Sequence, residues 1–273
     1  DEFISYGDKK TLDENYVLLN NFAYNGNVYG IPSTGNAQGI VYNKKVFEEA
    51  GVTELPKTPT EFIEALQKIK DNTDAIPLYT NFAAGWTMGA WDAYIGGCAT
   101  GDPDFMNYGM VHGENPFADN GDETGPFAVY NILYQAVSQE LVEDDPTTTD
   151  WEGCKGMLNR GEIGCMVLGS WAYSQMVDAD SHGEDVGYMP FPMSVNGTQY
   201  ALAGGDYSYC INVNSSDDNK AASLVFIKWM TEKSNWCYNE GGYTVVKGGE
   251  NPDMYKAFDG CTTMADQPAL PGE

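Results

Sequence analysis

Two tryptophans stand directly after glycine-containing breaks, a placement that suits contact with a ligand. Trp171 follows the Gly-Ser break in GCMVLGSWAYSQM (residues 164–176), and Trp86 follows an Ala-Ala-Gly stretch. Indole combines an apolar face with one N–H donor, which is more easily satisfied at a wet rim than in a dry core. The sequence leaves two interpretations open for each ring: a core side chain under a tight turn, or a ligand-facing ring at the rim of a cleft.

Two aspartates have a comparable placement. Asp92 and Asp206 each adjoin aromatic or glycine residues at the end of a predicted element. A carboxylate in such a place accepts hydrogen bonds from the hydroxyl groups of a sugar. A facing pair of carboxylates can instead hydrolyse a glycoside. Because the chain contains 40 acidic residues, counting alone does not separate these two roles.

Other catalytic and metal-binding patterns are missing from the sequence. It has no glycine-rich phosphate loop and no GxSxG motif, and its two histidines, His112 and His182, lie in acidic segments, which argues against a Ser/His triad. Two acidic segments, 118–123 and 178–185, concentrate oxygen ligands. Neither has the spacing of a calcium loop, because the twelfth position of the second is Met189. We interpret both as solvated loops and predict no metal and no cofactor.

The charge and composition narrow the classes of partner. Forty acidic residues against 14 basic ones give a net charge of -26, which repels nucleic acid and anionic membrane surfaces. Aromatic residues make up 13% of the chain, which suits a ligand that is part apolar and part hydroxylated.

The sequence contains no run of 18 apolar residues, so it predicts no membrane-spanning helix. The six cysteines contain no CxxC, so free buried thiols are at least as well supported as disulfides.

Short strands alternating with helices predict an α/β fold with mainly parallel sheets. The predicted strands cover residues 28–32, 39–42, 76–79, 166–168, 186–190 and 207–213. The predicted helices cover residues 44–50, 84–97, 127–141, 151–159 and 219–231, with one further helix after the N-cap Thr58 and another from Trp171. Asn43 is the predicted N-cap of the first helix and Gly51 its left-handed C-cap. The acidic, glycine-rich stretch 98–126 is predicted as a surface excursion.

Helical periodicity assigns a buried face to two of these helices. In the helix over 127–141 the predicted inward face carries Phe127, Tyr130, Tyr134, Val137 and Leu141. In the helix over 219–231 it carries Ala222, Val225, Phe226, Trp229 and Met230. Trp229 is therefore interpreted as a core side chain, unlike Trp86 and Trp171.

Four segments occur in an order and spacing that are typical of one protein family. They are GNVYGIPSTGNAQGIVYNKKVFEEAGV (26–52), PKTPTEFIEALQKIK (56–70), MLNRGEIGCMVLGSWAYSQM (157–176), and the set VGYMPFP, GGDYSYCINVNS and AASLVFIKWMTEK within 186–233. The chain resembles the extracellular solute-binding proteins of ABC importers, in the branch that carries sugars and oligosaccharides. Together the segments cover most of the chain.

The resemblance implies a two-lobed, periplasmic-binding-protein-like fold of type II, which closes on its ligand by hinge bending. The implied lobes are a truncated first lobe over 1–33 and 207–250 and a nearly complete second lobe over 34–206 and 251–273. The implied crossings between the lobes lie near 34–39, 204–207 and 245–250. The resemblance also implies roughly a hundred further residues before this chain, which would form most of the sheet of the first lobe, and a helical tail after it.

The resemblance assigns ligand contacts as well. It implies that Trp171 and Trp86 stack on sugar rings, that Asn36 hydrogen-bonds the ligand, and that Gly205 and Asp206 border the cleft. Asp92 stays a candidate from its placement alone. The implied function is non-catalytic capture of a carbohydrate and its delivery to the permease, outside the cell or in the periplasm, with a lipid anchor outside these residues. Two alternatives remain: a glycoside hydrolase, or the same fold binding a polyamine or peptide.

Overall fold

A seven-stranded mixed sheet organises most of residues 2–270, the part of the chain that the computed structural model describes. The strands are β1 (Gly7–Asp8), β2 (Ala23–Tyr24), β3 (Asn27–Val28), β4 (Ile31–Pro32), β5 (Gly35–Asn43), β6 (Ile76–Leu78), β7 (Ile163–Gly169), β8 (Val186–Pro190), β9 (Ser194–Val195), β10 (Thr198–Gly205), β11 (Ser208–Tyr209) and β12 (Thr262–Met264). The α-helices are α1 (Lys9–Leu12), α2 (Lys44–Glu49), α3 (Pro59–Asn72), α4 (Gly97–Thr100), α5 (Met110–His112), α6 (Gly125–Ser138), α7 (Trp151–Asn159), α8 (Trp171–Val177), α9 (Asp217–Glu232) and α10 (Trp236–Asn239).

Strand β5 lies in the middle of this sheet and runs against its neighbours. It pairs antiparallel with β7, β8 and β10, whereas β6 pairs parallel with β7 and β12 pairs parallel with β10. Strands β6, β7, β8, β10 and β12 therefore all point the same way. The prediction of a mainly parallel sheet holds for the direction of these five strands, but β5 and the short β9 run the opposite way, and β5 makes most of the pairings antiparallel.

Alternation along the central strands builds one core on each face of the sheet. On β5, Ile40 packs into the core under α3 and α6, and Val41 packs into the opposite core under α7 and α8. On β7, Val167 and Leu168 alternate in the same way. Every residue of β7 is buried, as expected for a strand covered by helices on both faces.

A smaller region stands beside this sheet. It consists of the three-stranded sheet β1-β3-β2 and the pair β4-β11. Its separate apolar cluster is built on Leu19, Val28, Ile31, Ile211 and Ile227. All five residues come from the two stretches that the sequence assigns to the first lobe.

Two predicted helix starts are confirmed in detail. Asn43 caps α2 by accepting a hydrogen bond from the backbone N–H of Val46 at 3.0 Å. Gly51 follows that helix with φ +77°, the left-handed conformation that glycine adopts most readily. Thr58 caps α3, accepting from the N–H of Glu61 at 3.2 Å.

Four other predicted elements differ from the structure. The strand predicted over 28–32 is split between β3 and β4, and the strand predicted over 207–213 is reduced to β11. Residues 84–97 form a 3-10 helix over Trp86–Tyr94 and then α4, because glycines interrupt the stretch and Gly85 takes a positive φ of 71°. The segment 98–126, predicted as a surface excursion, contains α5 and a π-helical turn, Phe105–Gly109.

Both predicted apolar helix faces are wrong in part. On α6 the buried side chains include Ala128, Val129, Ile132 and Ala136, while Tyr134 is 70% exposed. On α9 only Ile227 and Thr231 are buried. Of the five side chains predicted as core, Met230 is half-buried and the other four, including Trp229 at 52% exposure, are exposed. Both helices carry apolar residues on every side, so helical periodicity alone predicted the wrong buried face.

The six cysteines are free thiols: Cys98, Cys154 and Cys165 are buried, and Cys210, Cys237 and Cys261 are partly buried. Burial raises the pKa of the Cys154 thiol to about 12, and it raises the pKa of Cys165 as well. Within residues 2–270, none of the helices is both long enough and apolar enough to cross a bilayer.

Candidate functional site

One edge of the large sheet gathers most of the predicted site residues. Strands β6, β7 and β10 end at this edge, and the antiparallel β5 begins there. Trp171 lies just beyond the end of β7, and Asp206 lies just beyond the end of β10. Asn36 stands at the start of β5, opposite Gly204. The carboxyl ends of parallel strands are where α/β sheets characteristically bind ligands.

Three tryptophans meet at this edge. The ring centroids of Trp86 and Trp171 lie 5.6 Å apart, and their planes are inclined by 49°. Trp151 joins both, at 4.9 Å from Trp86 in an edge-to-face arrangement and at 5.9 Å from Trp171. Trp86 remains 47% exposed and Trp171 36% exposed. We call these three side chains the tryptophan triad; it presents aromatic surface to solvent.

The Gly-Ser break ahead of Trp171 has a steric cause. A Cβ atom at position 169 would lie 2.6 Å from Nε1 and 2.7 Å from Cδ1 of Trp171, which is closer than real Cβ contacts come. Glycine at 169 therefore leaves room for the indole to lie back over the end of β7. The Trp171 ring takes its place because its neighbour two residues earlier has no side chain.

Ser170 connects the tryptophan triad to Asn36. Its side chain is 2% exposed, and its Oγ accepts a hydrogen bond from the backbone N–H of Ala37 at 3.1 Å. The same hydroxyl donates to Oδ1 of Asn36 at 3.4 Å. Because Oδ1 is engaged in this way, the half-buried Asn36 is left with its two amide N–H donors for another partner.

Gly205 and Asp206 lie on the strand next to Asn36. Gly205 pairs with Gly35, and its carbonyl accepts a hydrogen bond from Nδ2 of Asn21 at 2.6 Å. A Cβ atom at 205 would come within 2.9 Å of the Leu18 carbonyl oxygen, so this glycine permits two backbone segments to approach closely. The carboxylate of the half-buried Asp206 makes no hydrogen bond or ion pair with any residue among 2–270 and is available to a ligand.

Asp92 is not part of this assembly. Its Oδ1 accepts a hydrogen bond from the Tyr130 hydroxyl on α6 at 2.5 Å, and its carboxylate makes no hydrogen bond with Trp86, Trp151 or Trp171. Burial and, second, this hydrogen bond raise the pKa of Tyr130 to about 12. The 3-10 helix that begins with Trp86 turns Asp92 away toward α6.

A family model for bacterial extracellular solute-binding proteins matches residues 2–235 of the chain. The chain belongs to this family. Its α/β architecture is that of the sugar-binding members: it superimposes with a TM-score of 0.91 on a manno-oligosaccharide-specific solute-binding protein of Bifidobacterium animalis subsp. lactis solved in complex with mannotriose. That neighbour is 52% identical and is matched over 100% of this chain and 64% of its own.

Two other relatives of this solute-binding protein fit the same picture. A second binding protein of an ABC transporter from the same bifidobacterium, solved with mannobiose, is 50% identical over 99% of this chain and 64% of its own, with a TM-score of 0.91. The Multiple sugar-binding protein of Streptococcus mutans is 25% identical over 90% of this chain and 58% of its own length. The present chain thus spans less than two thirds of the length of these relatives.

Trp151 belongs to the tryptophan triad of this solute-binding protein, but the sequence did not single it out as a candidate site residue. Trp86, Trp151 and Trp171 are each the first residue of a helix. The sequence held this signal, because Asp150 is a good N-cap and it stands directly before Trp151. Asp150 caps α7 by accepting from the N–H groups of Glu152 and Gly153.

Hydrogen bonds fix the loops that carry two of the rings. The N–H of Ala83, just before Trp86, donates to Oγ1 of Thr149 at 2.9 Å. The N–H of Asp150, just before Trp151, donates to the Tyr79 hydroxyl at 3.1 Å. Burial raises the pKa of Tyr79 above its usual value. The loop after β6 and the start of α7 therefore hold each other in place.

Three side chains of the acidic segment 178–185 form a cluster that takes no part in the contacts of the tryptophan triad. His182, Glu184 and Asp185 bring one ligand atom each within 4.8 Å of one another. His182 and Glu184 are exposed and Asp185 is half-buried. Exposed carboxylates of this kind are commonly solvated, as the sequence predicts for residues 178–185.

Proposed function

We propose that the chain is the ligand-binding part of an extracellular solute-binding protein that captures a manno-oligosaccharide and delivers it to the permease of an ABC transporter. It works without catalysis, and a lipid anchor outside these residues holds it at the bacterial cell surface. The observation that carries the proposal is the tryptophan triad at the carboxyl edge of the sheet, with Asn36 and Asp206 beside it.

The chemistry of these groups matches a sugar. The apolar C–H face of a pyranose packs on an indole, and its hydroxyls need donors and acceptors around the rim. The amide donors of Asn36 and the carboxylate acceptor of Asp206 supply both kinds. The neighbours solved with mannobiose and mannotriose, at 50% and 52% identity over nearly all of this chain, support the choice of manno-oligosaccharide.

We further propose the two-lobe division of the sequence prediction. The smaller region, with its cluster around Val28 and Ile211, belongs to the first lobe, and the large sheet forms the second. In this proposal the chain crosses between the lobes near residues 34–39, 204–207 and 245–250, so Asn36 and Asp206 belong to the junction of the lobes. Hinge closure then buries the ligand between the lobes and produces the form that the permease recognises.

The two alternatives fit the site less well. A glycoside hydrolase needs two facing carboxylates, but Asp92, one of the two aspartates singled out in the sequence, is bound to Tyr130 away from the triad. A polyamine or a peptide has no pyranose C–H face to pack on the exposed indoles of Trp86 and Trp171, whereas a sugar has one. Both observations favour a neutral sugar.

Calorimetric titration of the natural protein that carries this chain tests the proposal. We expect saturable binding of mannobiose and mannotriose and none of spermidine. Chromatography of the titrated sugars should show no shorter products. Failure to bind either manno-oligosaccharide would overturn the proposed ligand, and cleavage of mannotriose would favour the hydrolase instead.

A further inference from the structure

Lys155 is a covered lysine beside the proposed sugar site. Its side chain is only 14% exposed, whereas the side chain of Glu152, its ion-pair partner, is 78% exposed. The ammonium lies 2.9 Å from Oε2 of Glu152 and 4.8 Å from the centroid of the Trp151 ring. A lysine normally keeps its charge in water, so this degree of cover shows that the side chain is packed against its neighbours.

The sequence of α7 produces this arrangement. Trp151 and Lys155 are four residues apart, and Glu152 and Lys155 are three apart, so all three side chains share one side of the helix. The Asp150 cap fixes where the helix starts and hence the direction in which Trp151 leaves it. Lys155 then lies over the ring, with Glu152 holding the ammonium from the solvent side.

Trp151 contacts both exposed rings, so the orientation of its ring affects theirs. Its plane is inclined by 82° to that of Trp86, with the centroids 4.9 Å apart, so one ring meets the other by its edge. Its plane is inclined by 55° to that of Trp171. An edge-to-face contact depends on the orientation of both rings, so a rotation of Trp151 would shift Trp86.

We propose that Lys155 is a positioning residue: its cation–π contact fixes the Trp151 ring and thereby sets the angle between Trp86 and Trp171, the two platforms for sugar. The inference rests on the proposed function for its effect on affinity, but not for its effect on ring geometry. Lys155 touches no ligand in this scheme. It acts through Trp151, and what it needs is a cation over that ring.

The test compares Lys155→Met, which keeps the apolar stem, with Lys155→Arg, which keeps a cation over the ring. Two quantities are measured on the natural protein: the exciton couplet of the coupled indoles by circular dichroism without ligand, and the Kd for mannotriose. A cation–π contact of this kind is worth about fivefold to tenfold in an equilibrium constant. We expect Lys155→Met to reduce the couplet and weaken binding by about that factor, and Lys155→Arg to preserve both.

Lys220→Met is the matched control, since Lys220 is also largely covered and also pairs with an acidic residue three positions earlier. It should change neither quantity. Glu152→Gln gives an independent variant that leaves position 155 intact, and we expect a smaller change of both quantities in the same direction.

An unchanged couplet in Lys155→Met would overturn the inference. So would weaker binding in Lys155→Arg to the same degree as in Lys155→Met with the couplet intact, because that pattern marks a direct contact between lysine and ligand. If the unsubstituted protein binds no manno-oligosaccharide, the proposed function fails, while the couplets still decide whether Lys155 positions the rings.

Discussion

The indole of Trp171 occupies the space that a side chain at Gly169 would fill, with Nε1 2.6 Å from the position of that missing Cβ. Since the conflict would involve a side-chain ring and not backbone, we expect Gly169→Ala to move the ring without unfolding the protein. Binding of mannotriose should weaken by about tenfold, with a change in melting temperature of only a few degrees. Calorimetry and thermal unfolding measure the two effects, and an unchanged Kd would contradict this account of the glycine.

Removal of either exposed platform should weaken sugar binding. Truncating a tryptophan at the centre of a binding site costs about 2 kcal/mol or more, which is roughly 30-fold in Kd. We expect this loss for both Trp86→Ala and Trp171→Ala. Trp229→Ala is the control, because Trp229 is similarly exposed at 52% but lies on α9, away from the triad. Equal losses in all three variants would indicate a general effect on folding.

Two adjacent glycines should respond differently to alanine. At Gly205 the new Cβ would meet the Leu18 carbonyl oxygen and Cβ of Pro32, both at 2.9 Å, whereas at Gly204 it would meet nothing within 4 Å. Backbone cannot give way as a flexible side chain does. Gly205→Ala should therefore destabilise the fold by about 1–3 kcal/mol and Gly204→Ala by much less. Urea unfolding of both variants measures the difference, and equal midpoints would contradict the close approach.

Ser170→Ala should affect both stability and binding. The substitution removes the acceptor for the N–H of Ala37, a residue that is 1% exposed, and an unsatisfied buried donor costs about 1–3 kcal/mol. It also removes the bond that orients Asn36. We expect a lower urea midpoint together with weaker mannotriose binding. Asn36→Ala should weaken mannotriose binding without the same loss of stability. Equal losses of the urea midpoint in the two variants would contradict a structural role that belongs to Ser170 alone.

Tyr16 should make the stability depend on pH in the alkaline range. Burial first, and then the 2.6 Å hydrogen bond to Glu232, raise the pKa of Tyr16 to about 12. In the unfolded chain this pKa is about 10, so the folded state holds the proton more tightly. The resulting stabilisation is fully present below about pH 10 and is lost as the pH rises toward 12. Urea unfolding should show that Tyr16→Phe costs stability at about pH 9 and less at about pH 11.

The local signals in the sequence predicted much of the fold. Asn43, Thr58 and Gly51 mark helix ends through hydrogen bonds and backbone conformations that involve only neighbouring residues, and each is confirmed. Strand β10 was missed, since its pairing with β5 and β12 depends on residues far away in the chain. The buried faces of α6 and α9 were wrong because both sides of each helix are apolar enough to be buried.

The sequence by itself determined the family, the α/β class, and the placement of Trp171, Trp86, Asn36, Gly205 and Asp206 at element ends. Only the tertiary structure decided which side chains meet. The loops after β6 and β7 and the start of α7 meet at one edge of the sheet, so Trp151 contacts Trp86 and Trp171. Its N-cap Asp150 marks a helix start in the sequence but does not indicate these contacts. The carboxylate of Asp92 is bound by the Tyr130 hydroxyl, because its helix turns it toward α6. Contacts across the sheet depend on strand direction and register, and the order of residue types along the chain specifies neither of them.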